Sequence, residues 1–206
     1  MNDGYKEILE KISSSDPTPG GGSVSALILA HSHSLAMMVA RLTVGNEKWA
    51  SGHNAANEII TKSTDGLETS LDLARLDAEA FDEVMKSYRL PRNSDSEKEM
   101  RILSIRQSTL KAAKAPLSIV FECTKLLEST KDLCKLGNIN ALTDLMSSVE
   151  LAYSASRIAS YNVKINLDSL KEEYTVDINK ELESYNKLIK LSFDDNMSIL
   201  NERLGW

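Results

Sequence analysis

Three groups of residues have types and spacings that could do chemistry. The first is one acid, Asp77, in "LARLDAEAFDEVM", where helical spacing makes Leu73, Ala74, Ala80 and Phe81 its neighbours. A carboxylate on an apolar face is costly to ionise unless partnered, which raises its pKa towards the range useful for proton transfer. An edge position reaching water is the plainer alternative. The second group is Gly20, Gly21 and Gly22 in "SDPTPGGGSVSALILAHSHS". Glycines let a backbone come close to a ligand, and Ser23 is expected as the N-cap of the helix that follows. The unpaired N–H groups and positive end of that helix would suit an anion or a flat polar ring. A loop leading into the helix, or close helix packing, accounts for the glycines equally well.

The third group is polar residues within apolar helices: Asn138 and Asp144 in "GNINALTDL", and Asn162 and Asn166 in "YNVKIN". Each taken singly reads as a cap or turn former. Asp144 stands out because it lies inside a periodic run, beside Asn140, Ala141 and Ser148, where a buried polar group must find a hydrogen-bond partner or a ligand.

Other chemistries are disfavoured. His31, His33 and His53 are the chain's only histidines. His31 and His33 are about 200° apart on a helix and point to different faces, unlike the i, i+4 pair of a zinc helix. CxxC, GxSxG and the phosphate-loop pattern are absent. No metal site is expected. Cys123 and Cys134 would lie on one helix about 16 Å apart, out of bonding reach. They read as buried free thiols in a reducing, cytoplasmic setting. The start, "MNDGYKEILEK", lacks the pattern of a secretory signal.

The elements that must position these groups are helices. The chain has 206 residues, 42% hydrophobic, 26% charged and only 5% aromatic, which implies an aliphatic core in one domain, residues 1–206. A net charge of −6 argues against nucleic-acid binding. Val24 to Val44 carries one charge, Arg41, and reads as a central bundle helix rather than a membrane span. Tyr5, Ile8, Leu9 and Ile12 form a short stripe. Ile60, Leu67, Leu71, Ala74, Ala78, Phe81, Met85 and Tyr88 form a long one that wants a helical partner. Asp95 or Ser96 is a candidate cap for the next helix, which Pro116 should kink or restart and Gly137 should stop. Two more stripes, through Leu142–Ala159 and Ile178–Ile189, complete an all-α, up-and-down bundle.

Together the segments "PTPGGGSVSA", "MVARLTVG", "DAEAFDEVM", "YRLP", "APL", "GNINALTDL" and "NVKIN" resemble the cyclodeaminase/cyclohydrolase family of folate one-carbon metabolism, in its order and with similar spacing from Pro17 to Asn166. The resemblance implies an all-helical bundle, usually a homodimer, acting on a tetrahydrofolate derivative with no further cofactor. By motif match Asp77 would be catalytic. Gly20, Gly21, Gly22, Ser23, Lys48, Asn138 and Asp144 would line or support the folate site. The chain departs from the family's pattern at His31 and His33 (small residues), at Asn46 (lysine) and near Arg106 (glutamine). The activity expected is that of a methenyltetrahydrofolate cyclohydrolase, with formiminotetrahydrofolate cyclodeaminase as the alternative. A non-catalytic folate-binding or assembly protein of the same fold is the rival from another class.

Overall fold

The computed structural model describes residues 4–206, among which six α-helices and no strand are found. They are α1 (Tyr5–Ile12), α2 (Gly21–Val44), α3 (His53–Tyr88), α4 (Asp95–Leu136), α5 (Leu142–Asp168) and α6 (Glu172–Leu204). Short 3₁₀ turns at Glu47–Gly52 and Ile139–Ala141 lead into α3 and α5. The expected all-α class is correct.

The core is aliphatic, as the composition implies. Leu29, Val39, Ile59, Ile119, Leu142, Leu145 and Leu200 are fully enclosed. The α2 helix packs against α3 and α5 and touches α4. Among the described residues it is the one helix long and apolar enough to cross a membrane, yet most of it is buried inside the bundle. Its hydroxyl residues are consistent with that position. Ser32 Oγ donates to the Ser148 carbonyl at 2.7 Å, and Ser148 Oγ donates back to the Ser32 carbonyl at 2.8 Å. Serines that small bring two helices together while keeping their own polar atoms bonded.

On α3 the sequence stripe marks a flank rather than the deep face. The buried positions are Ala56, Ile59, Ser63, Gly66, Ser70, Leu73 and Ser87, whereas Leu71, Phe81 and Tyr88 are exposed. Small residues won the deep face because they let α3 approach its neighbours closely, and Ser70 Oγ returns its hydrogen bond to the Gly66 carbonyl at 2.6 Å. Leu67 and Leu71 instead line an apolar groove of about 320 Å³ with α1 and α2.

Two boundaries on α4 also correct the sequence reading. Its N-cap is Ser94, not Asp95 or Ser96, and Glu97 completes a capping box with Ser94. Pro116 does not restart the helix, which continues from Asp95 to Leu136. Proline removes the hydrogen bond to the carbonyl four residues earlier, here Ala112. Asn166 Nδ2 of α5 donates to that carbonyl at 3.1 Å and replaces the lost bond. Gly137 ends the helix as expected.

Candidate functional site

The first turn of α2 meets the middle of α3 and the C-terminal half of α5. Gly20 is the N-cap, in extended backbone, and its carbonyl accepts from Val24 N–H at 2.9 Å. Ser23 is therefore the third residue of the helix and not its cap. The glycines are required by contact. None of Gly20, Gly21 and Gly22 has positive φ. A Cβ on Gly22 would lie 2.2 Å from Asp77 Oδ1, and one on Gly21 would lie 3.2 Å from Asn162 Nδ2. Two bare residues in one helical turn thus let a carboxylate and an amide rest against the backbone from two sides.

Asp77 is half-buried, with Leu73 buried one turn before it and Ala74 and Ala80 half-buried nearby. Ser23 Oγ donates to Asp77 Oδ2 at 3.0 Å. Burial pushes the carboxyl above the ordinary carboxylate value of 3.8, against the hydrogen bonds from the Ser23 hydroxyl and backbone amide, which pull it down. Desolvation wins this contest. Asp77 makes no ion pair among the described residues, so its charge is held by one hydroxyl and the positive end of α2. A carboxylate so placed can take up a proton and give it back.

Asn162 belongs at this place although the sequence reading gave it no role here. Its Nδ2 donates to the Ile158 carbonyl at 2.9 Å, which fixes the amide beside Gly21. Neither Asn162 nor Asn166 ends a helix, since both lie inside α5. The available signal was an i, i+4 pair of asparagines in a helical run, one facing α2 and one serving Ala112.

The remaining expected residues lie elsewhere in the same chain. Asn138 is buried and caps the short turn before α5. Its backbone N–H donates to Thr43 Oγ1 at 3.0 Å and its Nδ2 to the Leu42 carbonyl at 3.1 Å. Thr43 is twenty residues from Ser23 along α2, about 30 Å at the helical rise. Lys48 is exposed in the turn just beyond, its Nζ 5.2 Å from the centre of the Trp49 ring. Asp144 is half-buried in the first turn of α5, one turn from the Ser148 that pairs with Ser32, hence about 20 Å along α2 from Gly22. Asp77, Gly20, Gly21, Gly22 and Ser23 come together; Lys48, Asn138 and Asp144 do not join them within one chain.

His31 is exposed, with Nδ1 2.6 Å from the Leu27 carbonyl and Nε2 3.3 Å from the Tyr5 hydroxyl, while His33 is buried; the two face apart as expected. Arg106 donates to the Tyr174 hydroxyl at 2.7 Å. Cys123 and Cys134 are buried free thiols, and burial pushes Cys134 up to about 12.

The site is a half-buried acid held against a glycine turn in an all-helical bundle. Residues 4–184 match the family model described as Formiminotransferase-cyclodeaminase, and the chain belongs to that family. It is 32% identical, over 88% of each chain, to the methenyltetrahydrofolate cyclohydrolase of Methylorubrum extorquens. It is 25% identical to the formimidoyltransferase-cyclodeaminase of Mus musculus over 84% of its own length, spanning only 32% of that protein. The crystal structure of formiminotetrahydrofolate cyclodeaminase from Thermotoga maritima superposes on 98% of the chain with a TM-score of 0.86 at 26% identity, and 96% of that chain is covered.

Proposed function

We propose that this chain is a 5,10-methenyltetrahydrofolate cyclohydrolase in which Asp77 is the single proton shuttle. The observation that carries the reading is the Asp77 carboxyl itself, half-buried against Gly22, raised in pKa and without an ion-pair partner among the described residues. In the reaction, water attacks the electrophilic carbon bridging N5 and N10. Asp77 accepts one proton of the water, the carbon–N5 bond breaks as that proton passes to N5, and the hydroxyl's remaining proton leaves to solvent as the C=O forms, giving the 10-formyl compound. The bridging carbon is already cationic in character, so placement and one shuttle suffice. A carboxylate with a raised pKa is a stronger base than an ordinary one and takes the water's proton more readily. The free N–H groups of Gly21 and Gly22 and the Asn162 amide would orient the flat ring.

In this reading residues 1–206 work as one helical unit in the cytoplasm, with the tetrahydrofolate substrate as the only small molecule required. A homodimer completes the site. In the second half of α2, towards the Lys48 end, Leu35, Met38 and Leu42 form an outward stripe that is apolar and incompletely covered. Two copies packed antiparallel along that stripe bring Lys48 and Asp144 of one copy to Asp77 of the other. Asn138 serves there as the support that holds the end of α2.

Cyclodeaminase is the second reading, favoured by the close match to the Thermotoga maritima structure. There N10 would attack the 5-formimino carbon and ammonia would leave, with Asp77 moving the same proton. Purified protein offered methenyltetrahydrofolate and 5-formiminotetrahydrofolate separates the two. Loss of methenyl absorbance supports the cyclohydrolase, and ammonia release without methenyl hydrolysis overturns it. Folate binding without turnover of either compound would favour a non-catalytic protein.

A further inference from the structure

A second concavity, of about 450 Å³, lies between α3 and α4 with α2 as its floor. Its α3 residues end at Thr69, eight positions and about 12 Å before Asp77, so it is separate from the candidate site. The floor is a matched pair. The His33 ring fills the space that a side chain on Gly66 would need, since a Cβ there would lie 2.3 Å from His33 Cε1. His33 is 4% exposed, and its Nδ1 is 3.0 Å from Ser63 Oγ. Its Nε2 has no hydrogen-bond partner, a costly state for a buried polar atom. Burial, and secondarily the charge of Lys125, hold the ring's pKa down to about 4, so it is neutral near pH 7. A neutral imidazole offers one donor and one acceptor, and a partner at the cavity can select which of these Nε2 becomes.

The walls carry five carboxylates and two lysines. Each lysine is already matched on its own helix, Lys62 by Glu58 and Lys125 by Glu122. Asp65 on α3 and Glu128 on α4 make no ion pair or side-chain hydrogen bond among the described residues, and no salt bridge spans the cavity. An excess of unmatched negative charge on two facing walls disfavours an anion and attracts a cation. No three His, Cys, Asp or Glu side chains gather closely enough to hold a metal ion among the described residues. The volume instead falls in the range of small-molecule sites.

We propose that this cavity binds a small organic cation bearing two or more ammonium groups, held between Asp65 and Glu128 above the His33 floor. The cation ties α3 to α4 through charges on opposite walls, and its N–H groups, directly or through water, give the buried imidazole an acceptor role at Nε2. The inference stands apart from the folate reading, because none of its residues touches Asp77 or the glycine turn.

The test is calorimetric titration of the full chain with spermidine and putrescine at fixed moderate ionic strength, repeated on Asp65→Asn/Glu128→Gln. Both replaced side chains are exposed, so the variant should fold. Saturable one-site binding is expected, weakened at least about tenfold in the variant because two charge-assisted contacts are lost. The His33 Nε2 resonance of nitrogen-15-labelled protein should move on saturation, and folate turnover of the variant should be unchanged. Absence of binding, equal binding by the variant, or the same heat from magnesium chloride at matched ionic strength would overturn the proposal.

Discussion

The two ends of α2 are built on opposite terms. At its C-terminal end Asn138, Thr43 and Arg203 all find partners, and of the side chains there only Trp49 Nε1 is buried without one among the described residues. Asn138 and Thr43 bond to each other's segments, and Arg203 donates to the carbonyls of Cys134 and Gly137 at 2.6 and 2.7 Å. At its N-terminal end a carboxylate is pressed onto bare backbone, above its ordinary pKa, with one hydroxyl and the helix start for company. The first arrangement stabilises the bundle. The second leaves an acid poorly hydrated, which the proposed function uses as a proton shuttle, and the rest of the fold offsets its cost.

The sharpest way to break this comparison is to add one methyl group at each end. Gly22→Ala puts a carbon 2.2 Å from Asp77 Oδ1, while Gly52→Ala puts one 2.5 Å from the Leu136 carbonyl oxygen. Both should lose about 1–3 kcal/mol in denaturant unfolding, as overpacked positions do. Only Gly22→Ala should also lower kcat, by about a hundredfold, because the shuttle is displaced by an ångström or more. Equal kinetic losses in the two variants would erase the distinction.

A smaller effect tests whether the two ends cooperate across copies. Lys48→Ala and Asp77→Asn, each nearly inactive alone, should recover about a quarter of normal activity when mixed and allowed to exchange, since half the dimers then carry one intact site. Recovery of nothing would place Lys48 outside the site. At the C-terminal end of α2, Asn138→Ala should cost about 1–3 kcal/mol by leaving buried groups unbonded. Its kcat should stay near normal.

The smallest effect is on pH. The folded-state pKa of Asp77 is raised, so the folded protein holds a proton there longer than the unfolded chain does. The associated stability is complete below about 3.8 and is lost as pH rises through the folded-state value. Asp77→Asn should flatten that part of the stability curve measured by thermal unfolding. An unchanged slope would mean that the carboxyl is ordinary.

Much of this was legible in the sequence, for identifiable reasons. The α5 and α6 stripes were read correctly because large aliphatic residues mark those buried faces. Asp77 was legible because a charge among Leu73, Ala74 and Ala80 breaks a pattern. The deep face of α3 was not, because serine, glycine and alanine carry little hydropathy signal and are chosen for approach. The restart expected at Pro116 does not occur, and the group that compensates the proline, the Asn166 amide, lies fifty residues away in sequence. The glycines were rightly marked as points of close approach, but only the fold shows that the approaching groups are Asp77 and Asn162.

The most direct measurement compares Asp77→Asn with the unaltered protein in folate affinity and in single-turnover hydrolysis of methenyltetrahydrofolate. Affinity should remain within a few-fold, while the chemical step slows by about 10²–10⁴, the range expected for loss of a positioned acid–base group. An unslowed chemical step would show that the proton travels by another route and that the acid beside the glycine turn only caps a helix.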